Sequence, residues 1–99
     1  MKFEDLEFKQ HELTPLFDKT CKVEFDNGNG LSIINGEHAY CDSDTYEIAP
    51  LENGHLFSDG IESWGDQVKG YVTKDQINEI LEHAEKDTHE EFVKYLETL

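Results

Sequence analysis

Arginine is absent from this 99-residue chain, and lysine is scarce: eight residues carry all the fixed positive charge against 23 carboxylates, for a net charge of −15. Arginine is the usual side chain for bidentate contact with phosphates and base edges. Its absence, together with the acidic field, argues against direct binding of nucleic acid, and the same field repels anionic membranes. No apolar run is long enough to span a bilayer. The opening Met1-Lys2-Phe3-Glu4-Asp5 has no apolar signal core. A cytoplasmic location is the expectation. Cysteine is limited to Cys21 and Cys41, which is no secreted framework. Reduced structural thiols are the favoured reading, with a clip between neighbouring strands as the alternative.

What is present suffices for one domain, residues 1–99. Six Phe, four Tyr and one Trp among 36% apolar residues can build a single core. Charge divides the chain in three. Residues 1–22 hold four Lys and five acids, and residues 69–99 hold four Lys and eight acids. Between Val23 and Val68 there is no Lys or Arg, while ten acids occur: Glu24, Asp26, Glu37, Asp42, Asp44, Glu47, Glu52, Asp59, Glu62 and Asp66.

The pattern predicts an α+β fold: an antiparallel sheet of about four strands, formed by hairpins, packed against one or two C-terminal helices. The β part covers residues 1–70 and the helical part residues 71–99. Cys21 to Phe25 alternates apolar and polar residues, Asp26-Asn27-Gly28-Asn29-Gly30 turns, and Leu31 to Ile34 resumes. Thr45 to Leu51 reads as a third strand, with Pro50 marking a strand end or an edge. Asn53-Gly54 turns into a short fourth strand at His55 to Phe57. Phe3, Leu6 and Phe8 suggest a short strand or a packed extended arm. Thr73 and Gln76 have the form of a helix capping box, and Thr88 and Glu91 of another. Ile77, Ile80, Leu81 and Ala84 fall on one helical face. The apolar spacing through Phe92, Tyr95 and Leu99 also suits one long helix, but a break near Lys86–Thr88 is favoured.

Chemistry-bearing motifs are weak. His38 and Cys41 form a lone H-x-x-C, short of the two ligand pairs that a structural zinc needs. Asp42-Ser43-Asp44-Thr45-Tyr46-Glu47 lacks the third ligand and the glycine of a calcium loop. No nucleophile elbow or phosphate-cradling loop occurs. Neither a metal nor any other cofactor is expected, and the chain is not expected to be an enzyme; Cys41 or a carboxylate pair is the weaker catalytic alternative. Trp64 reads as a loop residue capping the core or, more sharply, as a partner-binding anchor.

The segment Met1 to Lys9 resembles the start of small uncharacterised proteins encoded by bacteriophages and prophages. The hairpin at Val23–Gly28, the strand at Thr45–Ala49 and the stretch Gly70–Leu81 are similar in order and type. The resemblance runs to about residue 85, and residues from Asp87 onward look like a C-terminal extension. Its motifs are packing and turn motifs. By analogy with anti-CRISPR and anti-restriction proteins, a phage setting implies an inhibitor of a host defence factor. The expected function is a non-enzymatic inhibitor whose acidic surface imitates DNA phosphates and occupies a basic nucleic-acid-binding host protein, a CRISPR nuclease being the leading partner, in the host cytoplasm. Its expected contacts are Glu37, Asp42, Asp44, Glu47, Glu52, Asp59, Glu62 and Asp66, with Trp64 as anchor. The alternative is an assembly module that forms a homodimer through the apolar C-terminal helix.

Overall fold

The computed structural model describes residues 1–9, 19–36 and 39–99. Five strands form one antiparallel sheet, followed by two helices: β1 (Lys19–Glu24), β2 (Asn29–Asn35), β3 (Tyr46–Glu52), β4 (His55–Leu56), β5 (Lys69–Val72), α1 (Lys74–Lys86) and α2 (His89–Leu96). The α+β expectation is met. Neighbours run β1-β2-β3-β4, and β5 joins the outer edge of β3 beside β4. β5 adds a strand that sequence pattern does not reveal. Four residues containing Gly70, with a register shift against β3, leave no alternation to read.

Register sorts the side chains. Ile33 pairs with Cys21 on one side and Ile48 on the other, and Leu31 likewise with Val23 and Pro50, so these six share one face. That face joins Tyr46 and Val72 and meets Ile77, Ile80, Leu81, Ala84, Phe92 and Leu96 of the helices in a single apolar core. These six helical residues are 0% exposed. Ala49 and Leu51 alternate onto the opposite face and are buried as well. β3 is thus covered on both sides, which is why it reads as a nearly continuous apolar run.

Pro50 lies inside this central strand rather than at its end. Its lack of an N–H is tolerable because the outer ladder is interrupted there: β4 pairs only Leu51 and Glu52, and β5 only Tyr46 and Ile48. The two-residue turn between β3 and β4 places Asn53 at φ 50° and Gly54 at φ 84°, the doubly left-handed geometry that matches strand twist.

The N-terminal arm forms a single 3-10 turn over Phe3–Asp5 and then a bridge from Lys9 to Thr20. Phe3 and Phe8 lie 5.1 and 5.7 Å from the Tyr46 ring, which fixes the arm to the start of β3. Both capping boxes form. Helix α1 stops at Asp87 and Thr88 opens α2, so the C-terminal segment is two helices. Two asparagines of the β1–β2 turn reach the end of α1. Asn29 Nδ2 donates to the carbonyls of Ala84 (3.1 Å) and Asp87 (2.9 Å), and Asn27 Nδ2 donates to Ala84, Glu85 and Asp87 at 2.8 to 3.1 Å. They satisfy carbonyls that a helix end leaves without partners. Both cysteines are free thiols. Cys21 is buried, and burial pushes its thiol pKa up. Among the described residues no helix is long and apolar enough to cross a membrane.

Candidate acidic interface

Six of the nine described acids of the lysine-free segment fall in two stretches, while Glu24 and Asp26 stand at the β1–β2 turn. The loop before β3 carries Asp42 and Asp44, and β3 begins with Glu47. Asp42 folds this loop on itself: its Oδ1 accepts from the Asp44 N–H (3.1 Å) and the Thr45 hydroxyl (2.9 Å). Glu47 is half-buried, and its Oε1 accepts from the Tyr40 N–H at 3.3 Å. Asp59, Glu62 and Asp66 occupy the second place, the loop that leaves β4 and returns at β5. The Ile61 N–H donates to the Asp66 carbonyl at 2.9 Å and closes that loop.

Glu52 joins neither group. It stands five residues along β3 from Glu47, roughly 17 Å at strand rise, and an odd separation puts the two on opposite faces of the sheet. Glu52 turns toward α2, where its carboxylate lies 3.1 Å from His89 Nε2. Glu37 and His38 lie outside the described residues, so the H-x-x-C pair is not described as a unit. Cys41 Sγ lies 3.7 Å from the Gly36 carbonyl.

Trp64 is half-buried at the end of a short 3-10 turn, Glu62–Trp64. Its Nε1–H donates to the Leu96 carbonyl at 3.2 Å, and the Lys69 ammonium lies 5.8 Å from the ring centre. The indole fastens the acidic loop to the end of α2, and its single donor is engaged within the chain.

Of the nine described acids in this segment, all but Glu47 are exposed. Glu24 has Lys22 at 3.8 Å, and Glu52 has His89. Among the described residues the other seven have no cationic group within ion-pair distance. No group of three or more His, Cys, Asp or Glu is arranged to hold a metal ion among the described residues. The arrangement offers carboxylates with free lone pairs at the periphery of a rigid sheet, held by turns and not by counter-charges.

Sequence reasoning did not single out Tyr40 and Tyr71. They are 64% and 63% exposed, and the Tyr71 N–H donates to the Tyr40 carbonyl at 2.9 Å. Their meeting depends on a loop crossing a strand that the sequence does not announce. No family model, curated protein or solved structure matches this chain.

Proposed function

We propose that this chain is a non-enzymatic, phage-encoded inhibitor that occupies the basic nucleic-acid-binding site of a host defence protein. One observation carries the reading: seven carboxylates without a cationic neighbour among the described residues, within a segment holding no Lys or Arg. Such charges repel one another and weaken a compact fold unless a partner uses them. Duplex DNA offers one negative charge per roughly 1.7 Å of axis, so a basic groove shaped for DNA is complementary to a dense carboxylate surface. Fields of opposite sign also accelerate encounter and select the partner. The acids before β3 and in the β4–β5 loop supply the contact, and a CRISPR nuclease is the first host factor to test.

Self-association through the helices lacks a comparable basis, because the apolar stripes of α1 and α2 are consumed by the chain's own core. The test is competition. The immobilised chain retains a nucleic-acid-binding protein from bacterial lysate at about 50 mM salt and releases it by about 500 mM, as screening and ion release require. Added duplex DNA displaces that protein. If nothing that DNA displaces is retained at any salt, the acidic surface is only a solvated face.

A further inference from the structure

We propose that Tyr40 and Tyr71 are the docking point of this surface, two exposed tyrosines joined through their backbones that receive arginine side chains of a basic protein partner. The inference rests on the reading above and names the contact within it.

The pair is built at some cost to the backbone. Tyr71 sits at φ +56°, a left-handed conformation unusual for a bulky side chain. The register of β5 against β3 shifts between Tyr46 and Ile48, and such a bulge re-aims the side chains around it. The loop carrying Tyr40 crosses β5 at Gly70, where a Cβ would stand 2.5 Å from the Tyr40 carbonyl oxygen. Only glycine permits that approach, and it lets the Tyr71 N–H reach the Tyr40 carbonyl at 2.9 Å. Both rings nevertheless remain mostly in water, so the arrangement does not serve the core.

The surroundings specify the occupant. Tyr40 shares a hydrogen bond with Glu47, and Asp42 and Asp44 follow it directly in the loop. Lys69, the basic residue nearest Tyr71 in sequence, lies against Trp64. Two tyrosines beside a carboxylate-bearing loop stand in a field that repels phosphates, which rules against a platform for nucleic-acid bases. It favours a cation with a flat face. A guanidinium stacks on an aromatic ring and takes a carboxylate bidentately; an ammonium does neither as well. Tyrosine and arginine are also the side chains that carry most energy at protein interfaces.

The experiment uses the full chain with octa-arginine and octa-lysine peptides as probes at about 150 mM salt. Octa-arginine binds more tightly than octa-lysine and shifts the aromatic NMR signals of Tyr40 and Tyr71. The double variant Tyr40→Ala, Tyr71→Gly loses about tenfold in affinity for octa-arginine, the worth of two exposed cation–π contacts, and little for octa-lysine. Its melting temperature holds or rises, because glycine adopts the Tyr71 backbone geometry freely; lost binding is then not lost folding. If the double variant binds octa-arginine as tightly as the parent, while Asp42→Asn, Asp44→Asn, Glu47→Gln together do not, the tyrosine inference falls and the acidic-surface reading stands. If both variants bind as the parent does, both fall.

Discussion

The acids of the two helices and the acids of the loops carry the same charge and lead different lives. In α1 and α2 nearly every carboxylate has structural employment. Glu82 faces Lys86 at 3.4 Å and Glu90 faces Lys94 at 3.7 Å, one turn apart. Asp87 meets His83 Nδ1 at 2.8 Å, Glu85 holds the N-terminal amine at 2.7 Å, and Glu91 accepts the Thr88 N–H at 2.9 Å. In the loops Asp42 shapes one turn, and Asp44, Asp59 and Glu62 support no fold that requires a carboxylate. Net charge alone hides this difference. It separates acidity that specifies local structure from acidity left for solvent or a partner.

Variants can break or sharpen the contrast. The largest effect is expected away from charge altogether. Leu81 is 0% exposed beneath the sheet, and Leu81→Ala costs about 2–5 kcal/mol in urea unfolding. A loss below about 0.5 kcal/mol would mean that the stripe does not face the core. Asn29→Ala follows at about 1–3 kcal/mol, since it removes two hydrogen bonds to the Ala84 and Asp87 carbonyls and leaves only those from Asn27. Thr88→Ala removes the cap from α2 and costs about 0.5–2 kcal/mol, detectable as lost helicity near the C-terminus.

Alkaline titration tests the helical acids from another side. Burial, with the charges of Glu79 and Glu82, pushes the Tyr95 phenol well above its usual range. The folded state holds that proton after the unfolded chain has released it near pH 10. The stability from this group is therefore complete below that pH and declines as pH rises beyond it. Tyr95→Phe flattens the decline, and an unchanged alkaline slope would contradict the assignment. The smallest effect has the opposite sign. Replacing Asp42, Asp44 and Glu47 together by their amides leaves stability unchanged or raises it by up to about 0.5 kcal/mol, because the amide oxygens can still accept the bonds of Asp42 and Glu47 while charges that repel one another are removed. A marked loss in the same denaturation assay would put these acids with those of the helices.

Local signals were legible and distant ones were not. Asn53-Gly54 announces its hairpin, and Thr73/Gln76 and Thr88/Glu91 announce two helix starts, because each device is complete within four residues. Thr45 to Leu51 was legible as a strand, but Pro50 pointed to a strand end or an edge; the gap in the outer ladder that accommodates it depends on where β4 and β5 end. The acids were read as one surface. Period-two geometry divides Glu47 from Glu52 once the strand is known, and the others belong to different loops and turns. Trp64 left two readings open, core cap or anchor, because its acceptor, the Leu96 carbonyl, lies 32 residues away. Tyr40 and Tyr71 gave no signal, since a bulge and a crossing loop create their meeting.

The asparagines that end α1 bear on how the chain acquires its shape. Asn27 and Asn29 reach carbonyls 55 to 60 residues further along. No glycine follows the helix to stop it, and Asp87 at its end is extended backbone. Contacts of such separation slow folding, because the intervening chain must be closed into a loop before they form. Synthesis eases that demand. A chain made from its N-terminus presents the β1–β2 hairpin before the helix exists, so the brake on α1 is already in place when the last turn winds toward it.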